Sequence, residues 1–342
     1  MGWARLRKVR ALMILWLTAA GLVSAQAPRI GVIDFYGLRR TSEKRLREAI
    51  GVREGDALPR SKGDLEDRLE RVSGLVRALV TAVCCAGERT ILYVGVEEKD
   101  APHFEFRPEP EGDGTVPVAV SDSYRFLLSA LESAARAGPV SENLTTGQAM
   151  SSDPAARAIQ ERLGYLAGDN LPVLRRVVRE SNDASQRVVA AYVLGYAPAK
   201  RLVVDDLQYA LRDPDESVRA AAVRALTAIF VLAARDKDLG IRVQPTWFVQ
   251  MLNSLVWSDR NRAAAALVSL TEPRDPHVLD QIRATALHSL AEMARWKTLE
   301  HALPAFLVLG RVAGVPEAQI QSAWSAGNRE ALIELALKRE EK

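Results

Sequence analysis

Apolar positions follow two periods along this chain. In its second half, Val218, Ala221, Ala222, Ala225, Leu226 and Ile229 fall at i, i+3, i+4, i+7, i+8 and i+11. That spacing puts all six on one face of a helix. An Arg, an Ala three residues on and a Leu four beyond that occur together four times. The copies are Arg187/Ala190/Leu194, Arg219/Ala222/Leu226, Arg260/Ala263/Leu267 and Arg283/Ala286/Leu290. A pattern recurring every ~20–50 residues marks a repeat array, whose units bury their apolar faces by stacking on each other. From residue 121 onward the pattern is helical. It predicts helices over 124–137 and 154–166, paired helices starting at Pro172 and Ser185, and a pair over 202–211 and 218–229. A single long helix over 278–296 is packed by 303–312, and 316–336 supplies a capping pair.

Residues 29–98 show the shorter period. Residues 29–37 alternate loosely and end in Gly37, which reads as a strand. Thr41-Ser42 caps a helix closed by Gly51, and Ser61 caps a second through Leu65 and Leu69 to Gly74. Residues 77–85 are β-rich, Gly87-Glu88 turns the chain, and 89–97 returns as a strand. The predicted order is strand, helix, helix, strand, strand.

These residues carry two resemblances. The opening strand Ile30 to Gly37, the Gly51-to-Gly55 loop between two helices and the closing Val94-Gly95-Val96-Glu97-Glu98 resemble a POTRA domain. The resemblance covers about seventy residues and implies a periplasmic module that binds partners partly by adding a strand to its sheet edge. That family usually continues into a β-barrel, whereas no run of alternating ten-residue strands occurs after residue 120. The second resemblance runs from Leu211-Arg212-Asp213-Pro214-Asp215 through Val218-Arg219-Ala220-Ala221-Ala222, which is similar to the HEAT-repeat consensus. It implies an α-solenoid over roughly residues 165–315. It also implies mainly structural roles for the repeat positions Arg187, Asp213, Arg219 and Arg283, the Asp accepting from helix N-terminal amides. The expected architecture is therefore multidomain: a small α+β, POTRA-like domain followed by an all-α, HEAT-like solenoid over 121–342. Between them, residues 99–120 form an acidic linker in which Pro102, Pro108, Pro110 and Pro117 deny regular structure and Phe104 and Phe106 offer anchors.

The N-terminus sets the expected compartment. Arg5, Arg7, Lys8 and Arg10 precede thirteen mostly apolar residues, 11–23, and the small-residue site Val23-Ser24-Ala25. This is the pattern of a secretory signal peptide over 1–25, too short to span a bilayer comfortably. No later stretch reaches 18 apolar residues, so no integral span is expected after cleavage. Loss of the leader leaves 42 basic against 43 acidic residues, turning the formal charge from +3 to −1 and removing any bulk footprint for nucleic acid. Cys84 and Cys85 are the whole cysteine complement, so there is no disulfide framework, and they are either two small apolar residues or a vicinal disulfide.

The search for chemistry finds recognition instead. His103, His277, His288 and His301 lack metal-ligand spacing, and there is no GxSxG, P-loop or dinucleotide fingerprint. No catalytic, cofactor-binding or metal-ligating residue is therefore assigned. Asn143-Leu144-Thr145 matches a glycosylation sequon. Of Trp247, Trp257, Trp296 and Trp324, Trp257 lies nearest an inter-helix turn, and with Arg260 it forms the expected partner-facing pair. The expected function is a periplasmic or secreted, non-catalytic scaffold or adaptor for an envelope protein or peptide. The alternatives are a lyase-like or accessory HEAT protein acting on a bound cofactor, and a tether to outer membrane or peptidoglycan.

Overall fold

The computed structural model describes residues 28–87 and 89–338; the leader expected over 1–25 lies outside them. The first domain has the predicted order: β1 (Ile30–Tyr36), α1 (Glu43–Ile50), α2 (Gly63–Glu70), β2 (Leu75–Ala86) and β3 (Arg89–Glu98). Ser42 caps α1 by accepting from the Arg45 amide, and Gly51 closes it in the left-handed region. α2 stops at Glu70, short of Gly74. The sheet order is β1-β3-β2, with β1 parallel and β2 antiparallel to the central strand.

β3 reads Ile91-Leu92-Tyr93-Val94-Gly95-Val96, an unbroken apolar run of the kind a strand shows when both its faces are covered. Leu92, Val94 and Val96 pack with Leu46, Ile50, Leu65 and Leu69 of α1 and α2. Ile91, Tyr93 and Tyr36 join the core of the helical region. The sheet is thus a middle layer between its own helices and those of the helical region.

The helical region comprises α3 (Val118–Ala137), α4 (Pro154–Asp169), α5 (Leu171–Glu180), α6 (Ala184–Leu194), α7 (Lys200–Ala210), α8 (Glu216–Arg235), α9 (Thr246–Met251), α10 (Trp257–Leu270), α11 (Pro276–Thr285), α12 (Leu287–Arg295), α13 (Leu299–Val312), α14 (Glu317–Ser325) and α15 (Arg329–Lys338). Packing follows chain order: α3 on α4, α5 on α6, α6 and α7 on α8, α8 on α10, and α10 on α13. On α8 the predicted stripe is the buried one; Val218, Ala222, Leu226 and Ile229 have no exposed surface. Burial of each larger aliphatic contributes about 1.5–3 kcal/mol. Carboxylates start several helices: Asp183 accepts from Ser185 N, and Asp215 accepts from Ser217 N and Val218 N. α8 is long and apolar enough to cross a membrane by length and composition, although Arg219 and Arg224 interrupt its apolar sequence. Here α6, α7 and α10 pack around it, and half of its most apolar stretch is buried.

Four features differ from the expectations. Between α3 and α4 the chain is not helical but forms a small hairpin, β4 (Glu142–Asn143) against β5 (Met150–Ser151). α9 lacked enough periodic positions to be predicted. The helix expected over 278–296 is two helices: Ala286 leaves helical geometry at φ −138°, and Asn253 Nδ2 donates to the Thr285 carbonyl at the break. Finally, residues 99–117 form neither helix nor strand, yet they are a packed strap and not a free tether, and α3 begins at Val118 inside the expected linker. Arg107 N donates to Arg212 O (2.7 Å), Gly112 N to Glu180 O (2.8 Å) and Asn182 N to Gly112 O (2.6 Å). Phe104 is 4 % exposed. Proline removes amide donors and regular structure, but this backbone finds its partners on α5 and on the turns after α5 and α7.

Candidate functional site

Three arginines repeat one contact. Arg187, Arg219 and Arg260 sit near the starts of α6, α8 and α10, and all three are buried. Each reaches the carbonyl six residues back: Arg187 to Ser181 O (2.8 Å), Arg219 to Asp213 O (2.7 Å) and Arg260 to Ser254 O (2.6 Å). Each also faces a carboxylate further along the chain. Arg187 pairs with Asp213 at 2.9 and 3.0 Å, Arg219 with Asp259 at 2.8 Å, and Arg260 with Glu292 at 3.5 Å. This ladder stitches successive helix pairs together. Asp213 therefore acts mainly as an ion-pair partner, accepting only Asp215 N from the next helix start. Arg283 does not join the ladder. It lies at the end of α11, pairs with Asp280, and donates to Val312 O at 2.9 Å. The shortened spacing before it places it on the other helix of its pair.

The strap and the sheet cover this ladder from outside. Glu109 accepts from Arg187 at 3.0 Å, Phe106 lies under the Arg219 guanidinium at 4.2 Å, and the Tyr36 ring lies under Arg260 at 4.6 Å. The surface that Trp257 and Arg260 were expected to offer to a partner is thus occupied by the chain's own first domain. Tyr93 stacks on Trp257 at 4.8 Å and tilts against Trp296 at 4.9 Å, and its hydroxyl is 2.6 Å from His301 Nδ1. Tyr36 donates to Leu255 O at 2.7 Å. Glu292 accepts from Gly37 N and Leu38 N, and Asp34 accepts from Lys297 N. Burial raises the pKa of Glu292 and Asp34 and lowers those of Arg260 and His301. Lys297 also bonds Glu54 at 2.9 Å. Although partial burial opposes it, that contact brings Glu54 down to about 2.

Two glycines fit this junction. A Cβ on Gly37 would lie 1.9 Å from Val96 O, at φ +85°. A Cβ on Gly95 would meet the Tyr36 ring and hydroxyl at 2.5–2.6 Å. Glu98, the last residue of β3, accepts from the amides of Arg39, Arg40 and Thr41, fixing the entry to α1.

Away from strap and sheet lies an open groove of about 600 Å³. Its floor is α6, α8 and α10, presenting Val188, Ala220, Ala221, Ala265 and Ala266. Tyr124 of α3 and Leu144, in the loop after β4, form one wall. Arg224 of α8 organises that wall. It donates to Glu142 at 2.5 and 3.0 Å, to Ala149 O at 2.7 Å and to Tyr196 Oη at 3.1 Å, and it lies 4.6 Å over the Tyr192 ring. Burial raises the Tyr192 pKa, and burial is opposed at Arg224, where nearby tyrosines and Glu142 raise the guanidinium's pKa. Arg262 and Glu216 stand exposed at the rim. The groove therefore offers an apolar, small-residue bed with one charge of each sign at its edge, a surface suited to recognition.

The sheet edges are less open than the sequence suggested. Outside β1, Ile30 N donates to Asp56 O, Gly55 N donates to Ile30 O, and Ile33 N donates to Glu54. Outside β2, the amides of Ala78 and Val80 donate to Glu70 (3.1 Å) and Glu66 (2.7 Å) of α2. Side-chain carboxylates thus cap much of the edge that a strand-adding partner would need.

Among the described residues there is no group of three or more His, Cys, Asp or Glu side chains arranged to hold a metal ion. Sequence reasoning did not single out Tyr93, Glu292, Arg224 or Glu98. Their partners are tens to hundreds of residues away, and only the "Glu-Glu" ending of β3 marked Glu98. No protein-family model matches the chain, and no curated protein matches it.

Proposed function

We propose that this chain is a non-catalytic interaction scaffold of the bacterial envelope, periplasmic or secreted. In this reading a POTRA-like domain is docked on a HEAT-like helical array, and a protein or peptide partner occupies the groove across α6, α8 and α10. The observation that carries the proposal is the groove itself. Its alanine floor lets another backbone approach closely, its aromatic wall is held by the Arg224 network, and its rim charges stand exposed. The rigid junction supports it further, because a surface fixed relative to a second domain loses less entropy on binding than one on a swinging tether. Capping of the sheet edges by Glu54, Glu66 and Glu70 moves the expected contact from strand addition to the helices.

The test is site-specific photocrosslinking in cells that export the full chain. A probe at Ala265, exposed in the groove, is compared with one at Leu202, exposed on α7. One dominant envelope protein captured at Ala265, absent at Leu202 and lost with Ala220→Trp supports the scaffold. Capture at Leu202 alone refutes the groove. Accumulation in the cytoplasm with residues 1–25 retained refutes the envelope assignment.

A further inference from the structure

The two cysteines of the chain stand side by side at 84 and 85. The structure joins them as a vicinal disulfide near the end of β2, and both side chains are exposed. The β2–β3 ladder is regular from Arg77–Glu97 to Val83–Ile91, then shifts register before Ala86–Arg89. The pair therefore occupies the irregular tip of the hairpin.

This position is poorly explained by stability. A stabilising disulfide closes a long loop and so restricts the unfolded chain; a bond between neighbours closes none. It connects no two elements, because both sulfurs belong to one strand. Nor does it fill a core, the usual place of a cysteine kept for packing. What the location provides is access of solvent and solutes to an S–S bond.

We propose that Cys84–Cys85 is a reversible thiol–disulfide exchange site whose reactant is a thiolate on another molecule. The thiolate attacks one Sγ, the S–S bond breaks, and the other cysteine leaves as a thiolate, giving a mixed disulfide. A second thiol then attacks the reactant's sulfur in that mixed disulfide and releases the first cysteine. The thiol donor is oxidised to a disulfide. The cysteine pair takes up its two electrons and two protons. The donor is either a dithiol or two equivalents of a monothiol, the shared chemistry being the thiolate. This inference rests on the hairpin alone and stands whether or not the groove binds a partner.

The full chain, purified without reductant, is treated natively with N-ethylmaleimide and its intact mass is read. No adduct is expected before reduction and two after native treatment with dithiothreitol, with an unchanged circular-dichroism spectrum. Cys85→Ser, incubated with oxidised glutathione, is expected to carry one glutathionyl group on Cys84. Reduction by glutathione as well as dithiothreitol identifies any accessible thiol as donor; reduction by dithiothreitol alone identifies a dithiol. Two adducts on the unreduced protein would overturn the proposal. So would a bond that yields only after denaturation, or loss of the fold on reduction, which would make the bond structural.

Discussion

Asp213→Ala removes the Arg187–Asp213 rung of the ladder, together with the acceptor of the Asp215 amide. Both side chains are fully buried and meet through two hydrogen bonds of 2.9 and 3.0 Å. Removing the carboxylate leaves a guanidinium with the Ser181 carbonyl and the half-exposed Glu109 as its remaining partners. Breaking a buried pair from one side costs about 3–5 kcal/mol, because the surviving charge stays desolvated. Glu109 screens part of that charge, so the lower end, about 3 kcal/mol, is expected. Glu109→Ala alone removes one partly exposed contact and should cost under about 1 kcal/mol. Replacing both members, Arg187→Met with Asp213→Leu, removes the stranded charge and should recover most of the loss. Urea unfolding followed by circular dichroism compares these three variants with the unsubstituted protein, and the single variants Arg187→Met and Asp213→Leu complete the cycle that yields the coupling between Arg187 and Asp213. A loss below about 1 kcal/mol for Asp213→Ala, or a double variant no more stable than the single, would refute the claim that the rung holds adjacent helix pairs together.

Gly95→Ala should displace Tyr36 from Leu255 O and loosen the junction, seen as faster hydrogen exchange along β1 and α12 with α3–α6 unchanged. Glu98→Ala strands three amides and should cost roughly 2–3 kcal/mol in thermal or urea unfolding. Burial lowers the Lys200 pKa to about 7, its amine donating only to Gly195 O at the end of α6. Between pH 7 and the unfolded value near ~10.4 the unfolded chain binds more protons, so this group's penalty shrinks as pH rises and is full below 7. Lys200→Met should therefore stabilise at pH 6–7 by roughly 2–4 kcal/mol, the helix C-terminus offsetting part of the desolvation, and the gain should fade by pH ~10. A gain independent of pH would show that the amine does not titrate in this range.

Local pattern carried most of the element list because it depends on near neighbours. Ser42, Gly51 and the α8 stripe act within one or two helical turns, so a single sequence reveals them; the cap of α8 is Asp215, two residues beyond the Asp213 to which the repeat resemblance assigned that role. The apolar run of β3 was equally legible as a strand, but not its meaning: the sequence placed Leu92 and Tyr93 on opposite faces without saying that both faces are covered. Arg187, Arg219 and Arg260 were visible as a repeat, and the fourth copy, Arg283, belonged to a different environment because sequence spacing does not record which helix of a pair a residue joins.

Read alone, the sequence determined the order of elements in the α+β part, the helical character of most of the chain beyond residue 120, and the periodic Arg-Ala-Leu positions. These arise from backbone propensity, capping and the two side-chain periods. Tertiary structure alone decided that Trp257 and Arg260 face the chain's own sheet, that residues 99–117 are a strap, that carboxylates cap the sheet edges, and that a groove stays open over α6, α8 and α10. Each of those outcomes depends on contacts between residues far apart in the chain. Tyr93 and Trp257 are each ordinary aromatics until packing desolvates them together, and no local period encodes that meeting.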